Sequence, residues 1–172
     1  MNIARTLLPD GHGANDPKML VIHAMGEFIK VNQNTWDYYK GKGITLELNR
    51  DYHAPEWLRA IGVSAHQLIC PDGTRIKCKE DNVRAWHARG FNTGSLGAEF
   101  LVKGVHTYGS FIEAMKTPWV SDNQFESGQE LYQYWMGAHS VQKEEIKYHY
   151  ELSPGRKQDP GIGFPSSFRD TL

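Results

Sequence analysis

The chain is poor in cysteine, has no long apolar run, and carries no excess of charge of either sign. Two cysteines, Cys70 and Cys78, occur in 172 residues, which excludes the disulfide framework that staples many small secreted domains. They flank Pro71-Asp72-Gly73, a turn across which Cys70 would face Thr74 and not Cys78, so both are read as free thiols of a reducing compartment. No apolar stretch approaches the roughly 20 residues of a bilayer span, and Met1 to Asp10 lacks the long apolar core of a signal peptide. Cytoplasmic synthesis without membrane insertion is the expectation. The 19 basic and 20 acidic residues are interspersed, for a formal net charge of −1. No dense Lys/Arg tract is available to release counterions from nucleic acid, so nucleic acid is not an expected partner.

What is present suffices for one core. With 40% hydrophobic and 12% aromatic residues, the chain reads as a single domain over 1–172, expected to act as a monomer. Residues 18 to 25, Lys-Met-Leu-Val-Ile-His-Ala-Met, are apolar on both alternating faces, as in a strand buried mid-sheet, with His23 as the polar interruption. From Phe28 to Tyr52, Asn and Gly punctuate short pieces, predicting loops with one short helix or strand. Pro55 opens a helix through Ala60 stopped by Gly62, and Val63 to Ile69 with Thr74 to Lys79 reads as a hairpin. Ser95 to Val102 is another strand, and the 18 residues after it form a connection or insertion. A helix starts at Ser121 or Asp122, with Phe125, Leu131, Tyr134 and Trp135 at helical spacings and Gly137 as its end. Glu145 to His149 is a short strand. Strands alternating with helices imply an α/β fold, a central mixed β-sheet flanked by helices.

The densest chemistry lies at His149-Tyr-Glu-Leu-Ser-Pro-Gly-Arg-Lys157-Gln-Asp159-Pro-Gly161. An imidazole and a carboxylate suit a borderline metal such as zinc. Ten residues of ideal helix would turn Asp159 about 80° away from His149, and Pro154 and Pro160 oppose helix, so the chain must fold back to join the two. An extended Lys157-Gln-Asp159 would put the lysine on the same side as Asp159. Two histidines and one carboxylate form a known catalytic zinc set with a fourth position for water. His23 supplies the missing histidine, against the plainer reading of a hydrogen-bonded core imidazole. Glu99, in Leu-Gly-Ala-Glu-Phe-Leu-Val, is either an edge-strand acid or a buried one whose raised pKa suits proton transfer. Lys157 is either a surface lysine or the positive charge that stabilises an oxyanion.

Five blocks together resemble the zinc-dependent N-acetylmuramoyl-L-alanine amidases of the second amidase type. This family includes phage lytic amidases, cell-wall recycling amidases and peptidoglycan-recognition proteins. The blocks are Val21-Ile-His23; Val63-Ser-Ala-His-Gln-Leu-Ile69 with Asp72-Gly73-Thr74; Arg84-Ala-Trp86-His87-Ala88; Asn92 through Ser95-Leu-Gly-Ala-Glu99; and His149 through Gly161. They stand in the family's order. The resemblance implies that His23, His149 and Asp159 bind zinc, Glu99 activates water and Lys157 stabilises the transition state. The implied reaction is hydrolysis of the amide between N-acetylmuramic acid and L-alanine in peptidoglycan or a muropeptide.

Some positions depart from the family pattern. Recycling members often carry Asn after the first histidine and Ser-Asp after the second, where this chain has Ala24 and Tyr150-Glu151. Phage-type members that lack the glutamate often carry Tyr where Ala65 precedes His66. These departures favour a phage-type endolysin that uses Glu99 over an anhydro-muropeptide recycling enzyme. A wall-binding protein without chemistry would typically lack a ligand, and structural zinc would normally take four protein ligands. Trp36, Trp57, Trp119 and Tyr108 are candidates for sugar stacking or core packing, in the otherwise unmatched stretches 28–60 and 103–121. Trp86 and His87 are read as cleft lining, and His53, His106 and His139 as surface histidines.

Overall fold

The computed structural model describes residues 3–5 and 13–172; most of the opening stretch, expected to lack a leader, lies outside them. Among the described residues, seven strands form one sheet in the order β1-β5-β4-β6-β2-β3, with β7 also on β2. The strands are β1 (Ile3–Arg5), β2 (Met19–Lys30), β3 (Asp51–His53), β4 (Gln67–Ile69), β5 (Arg75–Lys77), β6 (Ser95–His106) and β7 (Ile146–Tyr148). β2 pairs in parallel with β6 and β7, β6 in parallel with β4, and β3 and β5 are antiparallel additions. The sheet is mixed, as expected.

β2 and β6 are each longer than the apolar runs that announce them, because both continue past an irregularity. The register shifts between Gly26↔Val102 and Phe28↔Val105, leaving an extra residue in β6. Gly104 takes φ +97° there, a conformation that favours glycine, and its N–H donates to the Glu27 carboxylate at 2.8 Å. The stretch 103–121 therefore holds the end of β6 and a further helix rather than a loose insertion.

Helices cover both faces. They are α1 (Gln33–Lys40), α2 (Ala54–Ile61), α3 (Tyr108–Ala114), α4 (Asp122–His139), α5 (His149–Leu152) and α6 (Ser167–Asp170). Leu20, Ile22, Leu96, Ala98 and Phe100 pack against Leu131, Tyr132 and Trp135 of α4 and Phe168 of α6. On the other face Leu68, Ile76 and Leu101 meet Ala54 and Leu58 of α2. α2 ends at Gly62, in the left-handed region at φ +72°, as its sequence predicts. Trp57 is buried with Tyr52 and Val31, and Trp36 donates its indole N–H to the Leu46 carbonyl at 3.0 Å, so both serve packing rather than sugar stacking. Tyr108 is exposed.

Three expectations need correction. α4 does not stop at Gly137; it runs to His139, where Ser140 turns left-handed and its N–H returns to the Met136 carbonyl. Tyr134 is exposed, and the core position belongs to Tyr132, whose hydroxyl donates to the Val21 carbonyl at 2.8 Å. His139 is not an ordinary surface histidine, since it is half-buried against the Asp81 carboxylate at 3.3 Å.

Gly128 and Gly137 of α4 differ in what surrounds them. A Cβ at Gly128 would lie 2.6 Å from Phe100 Cζ, whereas one at Gly137 would meet nothing within 4 Å. Gly128→Ala should cost about 1–3 kcal/mol of overpacking, more than the roughly 1 kcal/mol it gains in helix propensity. Gly137→Ala should stabilise by about 1 kcal/mol. Thermal unfolding of the two variants is therefore expected to move Tm in opposite directions.

Candidate functional site

The site forms where the sheet's two central strands, both buried, bring polar side chains out on the α2 face. His23 on β2 is the register partner of Glu99 on β6. β7 pairs with β2 up to Ile22↔Tyr148, so the next residue, His149, arrives beside His23. His149 is not the last residue of a strand, as its sequence suggested, but the first of the one-turn helix α5, which ends before Pro154. The chain then turns through 154–156 and returns Asp159 to the site. Tyr150 N–H donates to the Asp159 carbonyl at 3.1 Å, and Ala24 N–H reaches Asp159 Oδ2 at 3.4 Å. Backbone groups thus hold the carboxylate in place.

His23, His149 and Asp159 are all buried and offer three ligand atoms within 4.8 Å of one another. His23 Nδ1 lies 2.9 Å from His149 Nδ1 and 3.5 Å from Asp159 Oδ2, while His149 Nδ1 lies 2.9 Å from that oxygen. Two imidazole nitrogens and one carboxylate oxygen converge on one point, a donor set that suits a borderline divalent cation.

The electrostatics divide the two acids. Burial alone would raise the Asp159 pKa, but the hydrogen bond with His149 and the adjacent His23 imidazole hold its carboxyl well below the usual range. Burial pushes Glu99 up to about 8, aided by the Asp159 charge and opposed by Lys157. Glu99 is half-buried as a residue, yet its Oε2 is sealed with no hydrogen-bond partner among the described residues. Burial also lowers His23 to about 4, against the upward pull of the Asp159 carboxylate beside it. Lys157 is solvent-exposed and its N–H donates to the Ser153 carbonyl at 3.0 Å; its charge reaches both His23 and Glu99. The five residues singled out from sequence therefore share one locality.

The sequence marks His87 as cleft lining and gives His66 no role of its own, and the structure brings both rings to this cluster. His66 is fully buried: its Nδ1 accepts from Gly97 N–H at 3.1 Å and its Nε2 faces the Val83 carbonyl at 3.0 Å. His87 touches His23 directly, Nδ1 to Nε2 at 2.8 Å. Both stood inside quoted motifs, but neither spacing nor residue type shows which ring they would meet. Glu151 has a structural task. Its carboxylate accepts from Tyr148 N–H at 2.7 Å and from Arg169 at 2.9 Å, and the Arg169 guanidinium lies 4.0 Å over the Tyr148 ring. The Tyr150-Glu151 departure thus ties α5, and with it His149, to α6.

Together these features define an α/β protein with a buried two-histidine, one-carboxylate centre on one sheet face. The profile of the N-acetylmuramoyl-L-alanine amidase family matches residues 13–162. The chain belongs to this family, whose members cleave muramoyl-L-alanine bonds of peptidoglycan or muropeptides, and is an enzyme of that activity. No curated protein sequence matches significantly. Among solved structures, the endolysin amidase LysCS from Clostridium intestinale URNW is similar at 20% identity and TM-score 0.62, covering 99% of this chain and 93% of that one. A selenomethionine derivative of AmpD is 21% identical with TM-score 0.67, covering 99% and 93%. AmiD from E. coli, in complex with anhydro-N-acetylmuramic acid-L-Ala-D-γ-Glu-L-Lys, is 19% identical with TM-score 0.57, covering 95% and 60%. These likenesses show the fold.

The pKa of Glu99 has a consequence for stability. A carboxyl whose folded pKa is about 8, against 4.5 in the open chain, keeps its proton in the native state where the unfolded state loses it. Native stability then falls as pH rises from 4.5 to 8. His23 and His66, lowered to about 4, act oppositely and only below 6.5. Between pH 6.5 and 8, in chelator, the wild type should lose stability in urea as pH rises, and Glu99→Gln should be nearly flat. Parallel curves for the two proteins would show that Glu99 ionises normally.

Proposed function

We propose that the chain is a zinc-dependent lytic amidase of the endolysin type. The observation that carries this reading is the convergence of His23, His149 and Asp159 with Glu99 as the register neighbour of His23. Zinc held by the three ligands would act as a Lewis acid and lower the pKa of a water to about 7. Glu99 takes a proton from the attacking water and returns it to the departing nitrogen of L-alanine. Its sealed Oε2 and raised pKa suit an acid that must hold and release a proton near neutrality. Lys157 places positive charge beside the carbonyl oxygen of the lactyl group as that oxygen turns negative.

A lytic role is supported by apolar side chains left exposed next to the site residues. Trp86 precedes His87, Tyr150 follows His149, and Ile162, 87% exposed, stands three residues past Asp159. Exposed apolar side chains so near site residues along the chain suit contact with an extended wall strand. The fold likeness to LysCS, an endolysin, agrees with this. The likeness to AmiD, seen with an anhydro-muropeptide, supports the recycling alternative.

Purified wall incubated with the zinc-loaded protein should release stem peptides that begin with L-alanine, detected by mass spectrometry. No release with zinc present would sink the zinc amidase mechanism. Chelation should abolish turnover and added zinc restore it. Glu99→Gln should lower kcat by about 10²–10⁴. Lys157→Ala should lower it by about 10²–10³ while zinc content stays unchanged. Intact sacculi should be the better substrate, and preference for soluble anhydro-muropeptides would assign the recycling role instead.

A further inference from the structure

His23 presents Nδ1 to the ligand cluster, and this requires that its other nitrogen, Nε2, carry the ring's proton. The structure contains a chain of hydrogen bonds that enforces this. The Ser95 hydroxyl donates its only proton to the Phe91 carbonyl. Ser95 Oγ, 3.0 Å from His87 Nε2, can then only accept, so His87 carries its proton on Nε2. That leaves a lone pair on His87 Nδ1, which lies 2.8 Å from His23 Nε2 and must accept from it. The His23 proton is thereby drawn to Nε2, and the Nδ1 lone pair points at His149 and Asp159.

The placement of His87 is equally determined. Its ring lies on β6 directly over Gly97, where a Cβ would sit 2.3 Å from His87 Nδ1. Any side chain at position 97 would displace the ring. The backbone N–H groups of His87 and Ala88 both donate to Asn92 Oδ1, at 2.9 and 2.8 Å. Trp86 N–H donates to Ser64 Oγ at 2.9 Å, and Ser64 N–H to the Trp86 carbonyl at 3.1 Å. His66 faces the Val83 carbonyl. The loop is therefore anchored on both sides of His87 by groups unconnected with the metal ligands. The other ligand histidine has no such support, because His149 Nε2 is buried without a partner among the described residues.

We infer that His87 is the positioning residue of the metal centre: with Ser95 behind it and Gly97 beneath it, it sets the tautomer and orientation of His23. This rests on the ligand set proposed above. Outer partners of ligand histidines commonly change metal affinity by about 10–100-fold when removed. His87 accepts a proton it never needs to transfer, so its effect falls on metal binding before it falls on turnover.

The test has two parts. Long-range ¹H–¹⁵N correlation spectra of the wild type, zinc-free and zinc-loaded, report histidine tautomers without any substitution. His87 and His23 should both be Nε2–H in each state. A His87 protonated on Nδ1 would overturn the inference even if zinc binds normally. Separately, zinc affinity is measured by competition with a chromogenic chelator. His87→Leu, which cannot accept, should bind zinc about 10–100-fold more weakly, while His87→Gln, which can accept from His23 and donate to Ser95, should recover most of the loss. Equal affinities in His87→Leu and wild type, or equal losses in both variants, would show that His87 only fills space. Failure of the wild type to bind zinc would instead remove the ligand set and leave the tautomer result standing.

Discussion

The parallel pairing of β2 with β6 is the constraint on which the rest of the site depends. Their register runs unbroken from Met19↔Ser95 to Gly26↔Val102, and it places His23 level with Glu99. Strand side chains alternate, so a slip of one residue would send His23 to the α4 face and bring Ile22 or Ala24 to the site. The core prevents that slip. Leu20, Ile22, Leu96, Ala98 and Phe100 fill one face against α4, and Leu101 fills the other against α2. With β2 and β6 locked, β7 on the far edge of β2 delivers His149, and the turn after α5 returns Asp159.

Gathering imidazoles and two carboxylates in a buried space is costly unless their charges are arranged. The arrangement is unequal. Asp159 accepts from His149, lies beside His23 and stays ionised, while Glu99 has an oxygen with no partner among the described residues and keeps its proton up to about 8. Environment has driven the two acids in opposite directions, one toward a permanent charge and the other toward exchange near neutral pH. Three of the rings are held neutral by the same burial: His23 and His66 fall to about 4, and His87 falls well below its ordinary value. Neutral rings have tautomers, and tautomers are what a hydrogen-bond chain can select.

Much of this was legible in the chain because it depends on local pattern. The apolar run at 18–25 marks a central strand, Pro55 and Gly62 bound a helix, and Pro71-Asp72-Gly73 turns a hairpin in which Cys70 N–H meets the Thr74 carbonyl at 2.8 Å. Where pattern and packing diverged, the sequence reading went astray. Helical spacing admits Tyr134 as readily as Tyr132, and only the position of the sheet decides which is covered. Gly137 resembles a stop signal, but Ser140 is the residue that turns left-handed at the helix end. Trp57 could have lined a groove until Tyr52 and Val31 closed over it.

Residue types and their order alone determined the α/β class, the five candidate site residues and the family, since these reside in short segments whose chemistry is carried by side-chain identity. The contacts between segments belong to the tertiary structure alone. Gly97 admits the His87 ring, Ser95 orients it, and Glu151 is taken up by Arg169 of α6. Each of these is a distance between groups on different elements, set by how strand, loop and helix pack, and no local pattern along the chain encodes it.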